Sequence, residues 1–298
     1  MENILYLSYD GMTDPLGQSQ VLPYLIGLSK HGYKIDLISF EKENKYLKER
    51  HNIENICNQS GINWIPLSYT KRPPVLSTLW DVFRLKKRVR QLHRQNNYKL
   101  IHCRSYITSL AGLEMKRKFK IPFLFDMRGF WADERVDGGQ WDINKKIFKK
   151  VFSFFKKKEQ EFFQEADHVV SLTNAGKKEI LSWEKLAPKP KNITIIPCCV
   201  DLNLFNSENI TAKDQKYWVD LFELEPTDIT LVYLGSFSTV YMFNDTLEIY
   251  KKLKQQHANL KFIVLSKEPQ DLFNSFLDNA KITERDQIYF TSIQRTEV

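Results

Sequence analysis

The chain has 298 residues, 42% hydrophobic and 27% charged, so it can bury one large or two medium cores and is neither disordered nor fibrous. No apolar run approaches the roughly 18 residues of a membrane span, and the start of the chain lacks the basic region and long apolar core of a signal peptide. The net charge of +8 favours polyanionic partners, such as nucleic acid or an anionic membrane.

The cysteines also limit the choice of compartment. The four cysteines show no metal-ligand spacing, and a reducing compartment suits them best. We therefore expect a cytoplasmic protein that is at most peripheral to a membrane. The excess positive charge lies mostly in segments 84–94 and 145–158. A nucleic-acid binder is the weakest interpretation, because these lysines fall on helices that alternate with buried strands and no recognition motif is present.

The first two thirds of the chain alternate strands with helices. An apolar strand from Asn3 to Ser8 leads into a loop with Gly11, Pro15 and Gly17, and a helix follows that ends at Gly32. The same patterns predict strands at 35–40, 62–67, 100–103, 123–126, 168–172 and 193–196, and helices at 42–57, 79–92, 107–119, 144–165 and 175–183. This alternation predicts a doubly wound parallel sheet.

A polar stretch over 206–228 indicates a domain boundary, after which the pattern restarts. Strands are predicted at 229–234, 260–265 and 287–291, and helices at 244–256 and 270–279. We therefore expect a first domain over 1–205, a linker over 206–228 and a partial second domain over 229–298. A unit with so few strands exposes a sheet edge and an apolar face, so the chain made alone is expected to aggregate or to need a partner.

The helix predicted over 144–165 combines an apolar stripe of phenylalanines with many lysines. Such a basic amphipathic helix can lie on an anionic membrane. The stripe can also pack on the sheet while the lysine stems cover apolar surface, and this interpretation is favoured because helices that flank a sheet need such a stripe.

Polar and aromatic residues gather where predicted strands end. Ligands of open α/β sheets bind at the carboxyl ends of the strands, so these residues predict a site. Gly17, in the loop after the first strand, either lets backbone approach a phosphate or sugar or simply makes the turn. Two later strands end in the sequences HCRSY, over 102–106, and MRGFWADER, over 127–135.

Several segments resemble the family 4 glycosyltransferases, which have the GT-B fold. The sequence DGMTDPLGQSQVLPYL, over 10–25, is similar to the family's glycine-bearing acceptor loop, and FDMRGFW, over 125–131, occupies the place of its substrate-contacting loop. Further similarities are ADHVVSLT over 166–173, IPCCVD over 196–201 and YLGS over 233–236. Their order over essentially the whole chain implies an α/β protein of GT-B type, with two Rossmann-like parallel-sheet units, the second truncated.

The resemblance implies a retaining enzyme that transfers a sugar from a nucleotide-sugar donor to a glycan or lipid-linked acceptor. It also implies a role in cell-surface polysaccharide synthesis at the cytosolic membrane face, without a metal or other cofactor. Cationic side chains would stabilise the leaving diphosphate. In a retaining family the leaving phosphate takes the acceptor proton, so a carboxylate here would bind the sugar rather than act as the base.

The candidate site residues follow from that resemblance and from the strand ends. Arg128 and Glu134 are assigned to the catalytic centre, with Glu134 as a sugar-binding carboxylate. The other candidates are Gly17, Gln18, Arg104 and Asp133 for substrate binding and Gly235 and Ser236 for donor binding. An alternative role for Arg104 and Arg128 is a salt bridge to Asp126, Asp133 or Glu134.

The chain also departs from the family pattern. Cys198 and Cys199 stand where members usually carry Asn-Gly, Arg128 stands where many carry His, and the loop over 236–242 has no Arg or Lys for the donor diphosphate. The family's Glu-x7-Glu region would lie beyond Val298. These departures keep a second hypothesis open, a non-catalytic fragment that binds an acceptor or a membrane. An oxidoreductase is a third, but the Gly-x-Gly-x-x-Gly fingerprint is missing.

Overall fold

The computed structural model describes residues 2–203, 205–237 and 241–292. The chain forms two compact units, residues 1–199 and 200–298. The division lies close to the boundary expected at residue 205. Among the described residues, no helix combines the length and the hydrophobicity that crossing a bilayer requires.

The first unit is built on a seven-stranded sheet. Its strands are β1 Glu2–Ser8, β2 Tyr33–Glu41, β3 Ile62–Ser68, β4 Leu100–Arg104, β5 Phe123–Asp126, β6 His168–Ser171 and β7 Ile193–Ile195. They are all parallel and lie in the order β3-β2-β1-β4-β5-β6-β7. Since the order reverses between β1 and β4, that pair is the switch point where such sheets bind ligands. The predicted doubly wound sheet is confirmed.

Helices cover both faces of this sheet. They are α1 Pro15–Gln20, α2 Leu22–Ser29, α3 Glu43–Gln59, α4 Leu76–Asn96, α5 Ser105–Phe119, α6 Trp131–Asp137, α7 Lys146–Glu165 and α8 Asn174–Ser182. Two of them correct the sequence-based expectation. Helix α1 lies in the stretch expected to be a loop, where Pro15 at the first turn has its φ angle already set for a helix. Helix α6 lies in the polar segment after β5.

Two cores lie in this unit. The larger one packs α4, α5 and α7 on the sheet, and the smaller one packs α2 and α3. Phe155, Phe162 and Phe163 of α7 are buried in the larger core, as the packing interpretation of the apolar stripe requires. Ile147 and Phe154 of the same helix remain largely exposed.

The second unit has a smaller parallel sheet. Its strands are β8 Ile229–Leu234, β9 Leu260–Leu265 and β10 Ile288–Thr291, in the order β10-β9-β8. Its helices are α9 Ala212–Leu221, α10 Phe243–Gln256 and α11 Gln270–Asn279. Helix α9 lies within the stretch 206–228 that was expected to be a linker. It begins at a reciprocal cap, in which the Thr211 hydroxyl accepts from the Asp214 amide and the Asp214 carboxylate accepts from Thr211.

Candidate functional site

The strand register brings polar residues together at the carboxyl edge of the first sheet. Ser8, the last residue of β1, pairs with Arg104 of β4, and Arg104 pairs with Asp126 of β5. Three chain segments therefore leave the sheet side by side next to the switch point. The residues predicted for the first unit's site lie at the end of β4, in the loop after β5 and in the helices α1 and α6 that follow β1 and β5.

Arg104 and Arg128 meet at one side chain, Gln20 of α1. The Gln20 Oε1 atom accepts a hydrogen bond from Arg128 Nη2 at 2.8 Å and a longer one from Arg104 Nη2 at 3.4 Å. The helix after β1, the end of β4 and the loop after β5 thus meet at the Gln20 side chain. Gln20 was not among the predicted site residues, because nothing in the sequence distinguishes it from Gln18, which was predicted. In the structure the Gln18 side chain is partly exposed.

Asp126 is a carboxylate close to both arginines, although Asp10 lies closer to Arg104, whose Nε atom donates to Asp10 Oδ2 at 3.4 Å. The two Asp126 oxygens lie 4.0 Å from Arg104 Nη1 and 3.9 Å from Arg128 Nη1, so the charges face each other at more than hydrogen-bond distance. Asp126 is buried, and its Oδ1 atom has no hydrogen-bond partner among the residues that the structure describes. Of the three salt-bridge partners considered from the sequence, the structure places Asp126 beside the arginines. Because neither arginine is within hydrogen-bond distance of Asp126, their guanidinium groups keep N–H donors for a phosphate or a sugar.

The backbone directly after β4 and β5 is held in an unfavourable conformation. Ser105 has a φ of +68° and Arg128 a φ of +60°, in the left-handed region that side chains rarely adopt. Each such residue costs about 1–2 kcal/mol, so the surrounding contacts must hold it in place. At Arg128 this conformation accompanies the hydrogen bond of its side chain to Gln20.

The glycine loop after β1 is anchored by Glu41, the last residue of β2. The buried Glu41 carboxylate accepts from the amides of Met12 and Thr13 at 2.8 and 3.1 Å and from the Thr13 hydroxyl at 2.6 Å. A Cβ at Gly17 would lie 2.2 Å from the Gly11 carbonyl oxygen. The close approach of Gly17 to backbone within the loop is therefore reason enough for a glycine there.

Helix α6 places the two predicted carboxylates in different surroundings. Asp133 forms a salt bridge of 2.7 Å with Lys156 of α7, which also binds the buried Glu159 at 2.5 Å. Glu134 folds back over the loop, and a Cβ at Gly129 would lie 2.1 Å from its Oε1 atom. Loss of solvent around Glu134 raises the pKa of its carboxyl. The structure thus brings Glu134 next to the Arg128 loop and engages Asp133 in helix packing.

Arg135 is a further cation that the sequence analysis missed. Its guanidinium lies 5.1 Å from the centre of the Trp131 ring. Loss of solvent lowers the pKa of Arg135, against the opposing influence of Tyr69 and Asp10. Its charge therefore acts on the loop after β1. A sequence pattern that showed the second helical turn of α6, which contains Arg135, would have pointed to this residue.

The Cys198-Cys199 pair lies against the same edge. Arg128 Nη2 lies 3.3 Å from the Cys198 sulfur, to which it donates. The Tyr24 hydroxyl donates to the Pro197 carbonyl and accepts from the Cys199 amide, both at 3.3 Å. The segment that replaces the family's Asn-Gly therefore contacts both α2 and the loop after β5.

The donor-binding candidates lie in the second unit, directly after β8. Gly235 has a φ of +156°, and its amide donates to the Leu265 carbonyl at 3.1 Å. The Ser236 carbonyl accepts from the Tyr233 hydroxyl at 2.5 Å. Ser238, Thr239 and Val240 of the same loop lie outside the described residues. Over 2–203, 205–237 and 241–292, no group of three or more His, Cys, Asp or Glu residues is arranged to hold a metal ion.

Comparisons with known proteins connect this geometry to one family. Residues 20–204 match the family model described as Glycosyltransferase Family 4. Sucrose-phosphate synthase from Thermosynechococcus elongatus superposes with a TM-score of 0.70 at 13% identity, over 100% of this chain and 72% of that one. A glycosyltransferase from Rickettsia africae has a TM-score of 0.64 at 13% identity, over 99% of this chain and 69% of that one.

A third structure has a ligand. The Anabaena protein HepE in complex with UDP and glucose superposes with a TM-score of 0.61 at 12% identity, over 99% of this chain and 70% of that one. At such identities the superpositions establish the fold, an α/β architecture of GT-B type with a large and a small parallel sheet. A comparison with curated proteins finds no match.

Proposed function

This chain belongs to glycosyltransferase family 4, and from that membership we propose that it transfers a sugar from a nucleotide-sugar donor to a glycan or lipid-linked acceptor. The observation that carries the proposal is the convergence of Arg104 and Arg128 on Gln20 at the switch point of the first sheet. Two guanidinium groups with donors to spare suit a ligand with phosphate or hydroxyl groups. The donor of first choice is a UDP-sugar, because HepE binds UDP and glucose.

The reaction breaks the bond between the sugar C1 atom and the donor phosphate oxygen, and it forms a bond from C1 to the acceptor oxygen. Negative charge grows on the diphosphate and positive charge on the sugar ring. We propose that Arg128 stabilises the diphosphate or grips the acceptor, and that Glu134 binds sugar hydroxyls. In a retaining reaction the departing phosphate oxygen takes the acceptor proton, so neither residue needs to act as a base, and the cationic side chains make a metal unnecessary.

The remaining candidates keep supporting roles in the proposal. Arg104 and Gln18 contact the acceptor, Gly17 shapes the loop that holds it, and Gly235 and Ser236 face the donor. Asp133 is the weakest candidate, because Lys156 already neutralises it at 2.7 Å.

We place the reaction at the cytoplasmic face of a membrane, in cell-surface polysaccharide synthesis. The support is α7, which exposes Ile147 and Phe154 among its lysines while Phe155, Phe162 and Phe163 are buried in the core. Exposed apolar side chains next to cations are typical of a helix that rests on anionic lipid.

The test is a calorimetric titration of the purified chain with UDP, GDP, ADP and their sugars, followed by a transfer assay with the sugar that binds. Micromolar binding of one nucleotide sugar and transfer of its label to an acceptor are the expected results. Failure of every nucleotide to bind, in a sample shown to be folded, would overturn the proposal. It would favour the alternative of an acceptor-binding fragment.

A further inference from the structure

A large open groove lies on the first unit, separate from the arginine cluster formed by Arg104 and Arg128. Its volume is about 830 Å³, and helices α4, α5 and α7 line it. Helix α5, which contacts both others, contributes Leu110 and Leu113 to the floor. Leu79 of α4 and Val151 and Phe154 of α7 stand on the two sides. The floor of the groove and part of each side are therefore apolar.

The groove begins near the catalytic edge of the sheet. Tyr69 and Trp131 line one end, and Trp131 carries the Arg135 guanidinium on its ring. From there the lining follows successive turns of α5 from Ile107 to Arg117. At about 1.5 Å per residue the ten steps from Ile107 to Arg117 span about 15 Å. Since α5 starts directly after Arg104, the groove leads away from the site where the arginines lie.

The rim of the groove is strongly basic. The only carboxylate in its lining is Glu114, whereas its cations are Lys71, Lys86, Arg117, Lys118, Lys150 and Lys158. Lys86 and Lys118 bind Glu114, at 3.1 and 3.3 Å, and Arg117 and Lys158 both bind Glu161, at 2.8 Å. Among the described residues, Lys71 and Lys150 of the lining form no salt bridge. The rim therefore keeps positive charge that complements an anionic ligand or surface.

The two helices that form the sides of the groove carry exposed apolar side chains. Leu79 of α4 and Phe154 of α7 line the groove, and Leu76, Trp80, Phe83 and Ile147 lie on the same helices outside the lining, with between 45% and 63% of each of these six side chains exposed. The rings of Trp80 and Phe83 stack at 5.6 Å. Clustered apolar exposure of this kind marks an interaction surface rather than ordinary protein surface.

We propose that the groove between α4, α5 and α7 binds the hydrocarbon chain of an anionic lipid, the lipid part of a phosphate-linked acceptor. The inference rests on the proposed function and names its acceptor class. The apolar floor accommodates the hydrocarbon chain, the basic rim favours an anionic ligand, and the end at Trp131 directs the phosphate and the head group toward the arginine cluster. The groove thereby positions a lipid-linked acceptor for transfer.

Two tryptophans make the groove directly observable. Trp131 and Trp141 both line it, so a brominated chain in the groove quenches their fluorescence. The probe is a brominated long-chain alkyl phosphate at concentrations where it is monomeric, and a short-chain alkyl phosphate with the same bromine content is its control. The variants are Leu110→Glu on the floor and Leu79→Glu on the side. Leu47→Glu, on the exposed surface of α3, is the matched control.

We expect saturable quenching of the unmodified chain by the long-chain probe only. Leu79→Glu and Leu110→Glu should each weaken binding about tenfold or more, because a charge replaces apolar contact with the chain, and Leu47→Glu should not change it. Leu79 is exposed, so its variant tests the groove even if Leu110→Glu fails to fold.

Three results would overturn the inference. The first is no quenching by the monomeric long-chain probe. The second is quenching only by vesicles of brominated anionic lipid, which would mean that the surface rests on a bilayer without taking up a chain. The third is self-association of the chain that hides Trp131 and Trp141.

The transfer assay separates this inference from the proposed function. Binding of the hydrocarbon chain without sugar transfer would support the role of the groove and contradict the proposed transferase activity. Transfer to a water-soluble acceptor, without binding of a hydrocarbon chain, would support the transferase activity and contradict the role of the groove.

Discussion

Arg128 donates a hydrogen bond from Nη2 to Gln20 Oε1 at 2.8 Å, across 108 positions of sequence. The bond joins the loop after β5 to the helix after β1. Arg104 also reaches Gln20, at 3.4 Å, so one neutral amide contacts two cations. Asp10 pairs with Arg104 at 3.4 Å, whereas Asp126 lies 3.9 Å from Arg128, beyond hydrogen-bond distance. Arg128 therefore keeps donors for a ligand, which leads to the first prediction.

Arg128→Ala should lower kcat by about 100-fold or more, because it removes a cation aimed at developing negative charge. Arg128→Lys should recover only part of the loss, since an ammonium group cannot reproduce the geometry of the guanidinium. Steady-state kinetics with the nucleotide sugar found by calorimetry measure both. Arg94→Ala, at an exposed arginine in the last turn of α4, is the control for the loss of a positive charge. Equal activity of the Arg128 and Arg94 variants would contradict the role assigned to Arg128.

Gly17→Ala should destabilise the first unit by about 2–3 kcal/mol, because the new Cβ would lie 2.2 Å from a backbone oxygen that cannot move away easily. Gly27→Ala is the matched control in α2, where nothing lies within 4 Å of the new Cβ. There alanine should stabilise the helix by about 0.5–1 kcal/mol. Urea denaturation followed by circular dichroism gives both values. The same sign for the two variants would refute the packing role of Gly17.

Lys156→Met should destabilise the protein by about 2–4 kcal/mol at pH 7, because Glu159 is fully buried and would lose its cationic partner. Burial raises the pKa of the Glu159 carboxyl. A carboxyl whose pKa is higher in the folded state than in the unfolded state contributes less to stability as the pH rises above its unfolded-state pKa. The loss should therefore shrink toward pH 4, where Glu159 is protonated.

Chemical denaturation at a series of pH values measures this dependence. Lys157→Met, at an exposed neighbouring position, is the control and should change little. The double variant Lys156→Met with Glu159→Gln should regain stability at pH 7. A loss in Lys156→Met that stays constant from pH 4 to pH 7 would show that the buried carboxylate is not its cause.

Two of the four cysteines should react in the native protein. Cys198 and Cys199 are exposed, whereas Cys57 and Cys103 are buried. Burial raises the pKa of the Cys57 thiol to about 12 and raises that of Cys103 as well, so neither forms a thiolate near pH 8. Mass spectrometry after N-ethylmaleimide treatment should show two labels in native protein and four after denaturation. A third label in the native protein would contradict the burial of Cys57 and Cys103.

Binding to anionic vesicles should depend on the exposed apolar side of α7. Phe154→Glu should reduce co-sedimentation with vesicles that contain anionic lipid, and added salt should weaken binding of the unmodified chain. Leu47→Glu, with the same change of charge at another exposed leucine, is the control. Loss of binding in both variants to the same extent would assign the effect to net charge alone.

Much of the fold could be predicted from the sequence, because local patterns carry it. The apolar run Ile4–Leu7 is a buried strand in the structure, as the absence of polar alternation predicted. The helix expected over 144–165 is α7. Three of the segments that resemble family 4, at 125–131, 166–173 and 196–201, lie within the range 20–204 that matches the family model. Helix α6 was missed because its apolar residues are too few to show a period.

The sequence by itself determined the order of strands and helices, the parallel sheet and the family, since each depends on residues that are neighbours in the chain. Only the tertiary structure decided which residues meet. Gln20 contacts Arg128, Glu41 anchors the Met12–Thr13 backbone, and Lys156 takes Asp133 into a salt bridge, all between segments that are distant in sequence. Such contacts depend on strand register and helix packing, because a side chain's partner is set by the three-dimensional position of its backbone.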